Sequence, residues 1–304
     1  MTVIHVTHLT KQIKKSTIID DLNLTIQSGA IYGFLGPNGA GKTTTMKMLL
    51  GLLQPSSGAI HIFSQSLDEN KSEILANIGS LIEAPSYYDH LTGYENLEIV
   101  RRLLQLPQKN IDEALKIVRL DKQKDKCVKH YSLGMKQRLG IALALVKFPK
   151  LLILDEPTNG LDPAGIQEMR ELIKSLPRQY GMTVMISSHL LAEIEQMATT
   201  VGVIHSGRLL FEGNIRDLEE EQGLRLEVNN VTKTMNLLAK QGIAIQSQDH
   251  QTAGAMLMPN LPKGKIAQLI KLLTQENIDI YQVHHLKKPL EQTFLEMTAE
   301  GGVL

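Results

Sequence analysis

Between Ile31 and Met46 the chain passes from a short apolar run, Ile31-Tyr32-Gly33-Phe34-Leu35, through a glycine-rich turn into a helix-like stretch. The turn meets the pattern G-x-x-x-x-G-K-[ST] at Gly36, Gly41, Lys42 and Thr43. Each residue type has a physical task. Glycines let backbone N–H groups turn inward around an anion where side chains would block it. A helix beginning at Lys42 adds its positive dipole end beneath the same phosphates. The lysine reaches the β and γ oxygens, and the Thr43 hydroxyl is placed for Mg²⁺. Four specified positions match by chance in a chain this long about one time in a hundred, so a plain helix-capping turn is set aside. Contacts to a nucleotide are expected from Gly36, Pro37, Asn38, Gly39, Ala40, Gly41, Lys42, Thr43 and Thr44.

At 304 residues the chain exceeds one typical domain. A nucleotide domain of roughly 200 residues and a smaller partner are expected. Lys+Arg and Asp+Glu are both 32, so no surplus of positive charge favours nucleic acid as a partner. The sole cysteine, Cys127, excludes an intramolecular disulfide and a cysteine-based metal site. No apolar stretch reaches the 18 or so residues that span a bilayer. The longest, Leu139 to Val146 and Leu151 to Leu154, are broken by Lys147, Pro149 and Lys150. The N-terminal residues alternate like a strand and lack the layout of a secretory signal, which places the chain in the cytoplasm.

Alternating β-branched runs at 3 to 9, 17 to 26 and 58 to 63 bracket the loop and predict a small antiparallel sheet. From Ser72 to about Gln123 the apolar spacing turns helical, and with the next helix it predicts a helical insertion over about 72–148. In that next helix Leu139, Ala142, Leu143 and Val146 form one stripe. Leu151 to Leu154, stopped by Asp155 and Glu156, suits a central strand of a parallel sheet covered on both faces. Thr183 to Ser188, stopped by His189, repeats the theme. Ligands of open α/β sheets bind beyond the carboxyl ends of strands, so Asp155, Glu156 and His189 should converge near the phosphate loop. After a polar stretch at 213–222 a β-α-β-β-α-β order follows: strand 224–228, helix 232–241, strands 243–247 and 254–258, helix 263–275, strand 278–284. That order predicts a ferredoxin-like α+β domain. Its second helix carries Ile266, Leu269, Ile270 and Leu273 on one face, and Leu290, Phe294 and Met297 mark a closing helix that packs back on the chain. The expected domains are therefore 1–215 and 222–304.

A phosphate loop alone specifies only a nucleoside triphosphatase, since kinases, GTPases and motor ATPases share it. The nearest match to a guanine-reading Asn-Lys-x-Asp, Asn70-Lys71-Ser72-Glu73, lacks the aspartate and precedes the carboxylate strand. Asp155 and Glu156 are neighbours at a strand end and point in different directions. One can support Mg²⁺ and the other can polarise an attacking water, which is most of what phosphoanhydride hydrolysis requires. His189, ending the next apolar strand, is expected to contact the γ-phosphate.

Taken in order, Gly36 to Thr43, Tyr131 to Arg138, Leu151 to Glu156, Asn159-Gly160-Leu161-Asp162 and His189 resemble the ATPase subunit of an ATP-binding cassette (ABC) transporter. The resemblance covers about residues 1–215. It implies an α/β phosphate-loop domain with a mostly parallel sheet, an antiparallel β subdomain and the helical insertion. It also implies ATP and Mg²⁺ as cofactors, a head-to-tail dimer with a second copy, and a separate transmembrane permease. A short cytoplasmic helix of that permease would dock on the insertion and hold the chain on the inner face of the membrane. Carried over by position, Lys42, Glu156 and His189 are catalytic, with Glu156 the base and His189 the switch. Ser132 and Gly134 touch the γ-phosphate of the partner's ATP, Asp162 links the two sites, and Thr43 and Asp155 serve Mg²⁺.

Three departures stand out. The usual Leu-Ser-Gly-Gly-Gln is Tyr131-Ser132-Leu133-Gly134-Met135 here, which weakens closure across the dimer. The aromatic residue that stacks on adenine is replaced by Ile13, at a cost of about 1 kcal/mol. The glutamine that senses Mg²⁺ is Glu83, which is expected to approach the metal. The Glu83 context, Tyr87-Tyr88, the altered signature and Leu290 to Phe294 are similar to the branch serving bacitracin resistance and lantibiotic immunity, which implies removal of antimicrobial peptides from a bacterial membrane. Two other readings are a non-transport ABC protein acting on ribosomes or DNA and a nucleotide-sensing module with little turnover. The first calls for paired cassettes in one chain, a long coiled coil or strongly basic segments, which this sequence lacks.

Overall fold

The protein is seen in a computed structural model that describes residues 1–218, 221–245, 247–248, 255–288 and 290–300. It divides into two compact units, Arg216–Glu296 and the remainder, with the end of the last helix from Met297 grouping with the first. The second unit opens at Arg216, where the sequence reading set domains of 1–215 and 222–304.

The first unit opens with β1 (Thr2–Ile13) and β2 (Ser16–Gln27), which pair antiparallel. β3 (Ile31–Leu35) leads through the glycine-rich turn into α1 (Lys42–Leu49). β4 (Ser57–Ile62) and the two-residue β5 (Gln65–Ser66) complete an antiparallel sheet of order β2-β1-β4-β5, as the alternation predicts. α2 (Leu67–Ala76), β6 (Ile78–Leu81), α3 (Gly93–Leu103), α4 (Lys109–Ile117) and α5 (Leu133–Leu145) follow. Then come β7 (Leu151–Leu154), α6 (Pro163–Tyr180), β8 (Thr183–Ser188), α7 (Leu191–Met197), β9 (Thr200–His205) and β10 (Arg208–Asn214). The second sheet has the order β10-β9-β3-β8-β7-β6 and is parallel throughout except for β10 at its edge.

Every residue of β3, β7 and β8 is buried. Each leucine or isoleucine among them contributes about 1.5–3 kcal/mol of burial, so a charge placed at Ile153 would break the sheet at its centre. Two expectations need correction. The stretch about 72–148 is not uniformly helical, because Ile78–Leu81 forms a strand parallel to β7; four residues are too few to declare a period of two. Nor does α5 carry one stripe. Ile141, Ala144 and Leu145 are buried along with Leu139, Ala142 and Val146, while Leu143 is only half-buried, as suits a helix enclosed on most sides.

In the second unit, β11 (Glu221–Val228), α8 (Val231–Lys240), β12 (Ser247–Gln248), β13 (Ala255–Met258), α9 (Lys263–Gln275) and β14 (Ile280–Lys287) follow the expected β-α-β-β-α-β order. The sheet runs β12-β13-β11-β14, all antiparallel, which is the ferredoxin-like arrangement. Leu224, Leu226 and Val228 alternate into its core against Leu238, Leu269 and Leu273. Ile270 lies at the rim of the α9 stripe and is 38% exposed. α10 (Leu290–Glu300) closes the chain as a helix.

Candidate functional site

β3, β8 and β7 are neighbours in the sheet, and their carboxyl ends coincide: Leu35 pairs with Ser188, and Leu154 with Ile186. The phosphate loop, His189 and the Asp155-Glu156 pair therefore leave the sheet at one place. The glycines act there by close approach. A Cβ on Gly36 would lie 2.3 Å from the Ile204 carbonyl oxygen, and one on Gly41, at φ +109°, would lie 2.4 Å from Ile19 Cδ1. The loop ends in α1, whose first-turn N–H groups have no helical acceptor and so face an incoming anion. Thr45 ties its hydroxyl to the Gly41 carbonyl at 3.0 Å, while Asn38 and Gly39 are exposed at the tip.

Lys42 is only 6% exposed and folds back over the loop. Its ammonium donates to the Gly36 carbonyl at 2.7 Å and the Pro37 carbonyl at 3.3 Å, and lies 3.4 Å from Glu156 Oε1. Thr43 donates its hydroxyl to Asp155 Oδ2 at 2.8 Å. The other Asp155 oxygen accepts from the Ser187 hydroxyl at 2.5 Å, and the Ser187 oxygen accepts the Glu156 N–H at 2.9 Å. Glu156 Oε2 lies 2.9 Å from His189 Nδ1, and because a carboxylate only accepts, the imidazole proton sits on that nitrogen. Glu156 itself holds φ +48°, a left-handed conformation that costs a residue with a Cβ about 1–2 kcal/mol. Glu156 is one of several non-glycine residues at positive φ, and its side chain stands between Lys42 and His189.

Thr43, Asp155, Ser187, Glu156 and His189 thus form one hydrogen-bonded line beside Lys42. Ser187 was missed by reasoning from sequence, although a serine pair closing an apolar strand is a signal for it. The residues fit Mg²⁺, which takes hard oxygen donors and usually one or two carboxylates, with phosphate and water completing its shell. Thr43 and Asp155 supply such a pair. Among the described residues no group of three or more His, Cys, Asp or Glu side chains is placed to hold a metal by itself. Glu83 does not join this set. It sits at φ +61° and its carboxylate meets Lys47 Nζ of α1 at 2.5 Å, the nearby cation capturing the exposed acid.

The remaining expected contacts lie elsewhere. Ser132 caps α5 by accepting the Met135 N–H at 3.3 Å, and Asp162 caps α6 by accepting the Gly165 N–H at 2.9 Å. A Cβ on Gly134 would meet Leu161 Cδ2 at 3.7 Å, so the two helix starts adjoin each other. Ser132 and Asp162 are exposed and Gly134 half-buried, and among the described residues no hydrogen bond joins any of them to the phosphate loop. Ile13, at the end of β1, is 46% exposed.

Residues 19–159 match the family profile described as ABC transporter. The chain is 44% identical to "Bacitracin transport ATP-binding protein BcrA" of Bacillus licheniformis, with 99% of each chain covered. It is 47% identical to "Lantibiotic transport ATP-binding protein SrtF" of Streptococcus pyogenes, covering 69% of this chain and 90% of that one. Among solved structures it resembles CbiO1 of Clostridium perfringens, described as part of an ABC transporter complex, at a TM-score of 0.67 and 30% identity over 71% of this chain and 90% of that one.

Proposed function

The chain belongs to the ABC transporter ATP-binding family, and from that premise we propose that it hydrolyses ATP to drive export of an antimicrobial peptide of the bacitracin or lantibiotic kind through a separate membrane permease. The line from Thr43 through Asp155, Ser187 and Glu156 to His189, with Lys42 beside it, carries the reading. The peptide assignment is supported by the names and near-complete coverage of the bacitracin and lantibiotic transport relatives.

Nucleotide binds in the loop from Gly36 to Thr44. Lys42 leaves its two loop carbonyls for the β and γ oxygens, exchanging neutral acceptors for charged ones. Thr43 and Asp155 would hold Mg²⁺, which supplies charge neutralisation on the phosphate oxygens. Glu156 orients a water and takes its proton as the oxygen attacks the γ-phosphorus in line; the bond from that phosphorus to the bridging oxygen breaks, leaving ADP and inorganic phosphate. His189 fixes the Glu156 carboxylate and stands at the γ side. A second copy supplies Ser132 and Gly134 from its exposed helix start, and Asp162 beside them links the two sites.

A groove of about 360 Å³ lined by Leu81, Pro85, Leu104, Leu143 and Lys147 suits a short permease helix. Leu103 and Leu104, 78% and 46% exposed, stand at the end of α3 as apolar anchors. Among the described residues no helix is long and apolar enough to cross a membrane; in this reading the permease partner holds the chain on the inner face of the membrane. The decisive measurement is ATP hydrolysis by the full chain with its permease against Glu156→Gln, expected to lose at least about a hundredfold in kcat. Equal rates would end the enzyme reading. Deletion of the chain should sensitise cells to membrane-active peptides, and unchanged sensitivity would end the peptide assignment.

A further inference from the structure

One buried acid has no part in this chemistry. Glu193 on α7 is 7% exposed and shares its helix with the buried Leu191, Ile194 and Met197. A carboxylate there costs more to desolvate than a leucine, unless its hydrogen bonds bring something the leucine would not. Its Oε2 accepts the Thr158 hydroxyl at 2.7 Å and the Ser188 hydroxyl at 3.0 Å.

The positions of those two donors matter more than their number. Thr158 stands two residues after Glu156, in a turn where the Asn159 N–H bonds the Glu156 carbonyl at 3.1 Å and the Leu161 N–H bonds the Thr158 carbonyl at 3.2 Å. Ser188 immediately precedes His189, and its oxygen also accepts the Leu190 N–H at 3.0 Å. A single carboxylate oxygen therefore fastens both backbones that carry the 2.9 Å contact between Glu156 and His189. We propose that Glu193 is a positioning residue: with Thr158 and Ser188 it holds the general base and the switch histidine at working distance, and it extends the same tie toward the turn that ends at Asp162. The inference rests on the reading of Glu156 and His189 as the hydrolytic pair.

The chemistry predicts how substitutions sort. Glu193→Ala removes both fastenings and should lower kcat about tenfold, with KM for ATP held within about twofold because the phosphate loop is untouched. Glu193→Gln keeps an amide oxygen for both hydroxyls and should stay within about threefold of the unmodified chain. Thr158→Val removes one donor at nearly constant shape; it should lower kcat alone and be less than additive with Glu193→Ala. A readout independent of turnover is the NMR spectrum of the nucleotide-free full chain carrying ¹³C-labelled histidine, with His189 assigned from His189→Asn. Glu156→Gln should shift the His189 resonances in the otherwise unmodified chain and shift them less in a Thr158→Val background.

Wild-type kcat in both Glu193→Ala and Thr158→Val would overturn the proposal, as would parallel losses in kcat, KM and nucleotide affinity, or an undiminished Glu156→Gln shift in Thr158→Val. Failure of the underlying reading looks different: Glu156→Gln would hydrolyse ATP at the normal rate while the NMR tie persisted.

Discussion

The phosphate-loop cluster and the helix starts at Ser132 and Asp162 are built on opposite plans. In the first, Lys42 and Asp155 are nearly enclosed and each polar side chain of the line has its partner within the same chain. In the second, the polar side chains are exposed and, among the described residues, bond only the N–H groups of their own helices. A preorganised cluster can bind and orient substrate without help, because its reorganisation cost was met on folding. The exposed pair is held only by its helix caps, and in the proposed dimer a second copy would present its phosphate loop to it. Under the proposed function, the first group would set affinity and the second would set assembly and turnover.

The strongest way to break that contrast is Lys42→Ala. Nucleotide affinity should fall by at least about a hundredfold, since a charge-assisted contact to phosphate is lost, and ATP-dependent dimers should vanish with it. Analytical ultracentrifugation with and without ATP checks both, and dimers that persist without nucleotide binding would separate the two regions entirely. Ser132→Ala should act on the other side: nucleotide affinity measured with the isolated chain stays within about twofold, while the ATPase rate falls about tenfold. Equal loss in both would mean that Ser132 serves its own chain's site.

Glu83→Gln is a finer probe. It removes the ion pair with Lys47, an exposed contact worth little to stability, so thermal unfolding and ATP binding should not change. Peptide resistance at equal expression should, because Glu83 lies two residues before Pro85 of the groove proposed for the permease; unchanged resistance would remove Glu83 from any coupling to that partner. Smallest of all is Glu98→Gln on α3. Hydrogen bonds from Arg101 and Arg102 hold the Glu98 carboxyl down to about 2, from an ordinary 4.5. Its folded-state pKa is depressed, so its contribution is present above 4.5 and is lost as pH falls toward 2. The substitution should lower Tm by no more than about 2 °C near neutrality, with the difference from the unmodified chain shrinking across that acid window.

Reading from sequence succeeded where the signal is local. The phosphate loop, the acids ending β7 and the histidine ending β8 occupy strand ends that two adjacent apolar runs announce, and the second unit's β-α-β-β-α-β order follows from changes of period within it. It failed where meaning depends on residues far apart in the chain. Ser187 bonds a carboxylate 32 positions earlier and Thr158 one 35 positions later, distances that no window of periodicity covers. Glu193 belongs to no motif along the sequence, and its burial shows only in the packing of α7. Strand β6 is too short to show its alternation, and the pairing of Glu83 with Lys47, 36 positions away, is equally invisible along the sequence.

Ser187 and Ser188 stand side by side at the end of β8, yet one hydroxyl goes to Asp155 and the other to Glu193, as the alternation of a strand requires. Inserting or deleting one residue in β8 would exchange their faces and misdirect both bonds at once. Substitution can explore this strand one position at a time, whereas changes of length are closed to it. Drift in chain length between α6 and His189 has to be taken up at the exposed turn around Gly181, which makes that turn the place where inserted sequence should be tolerated.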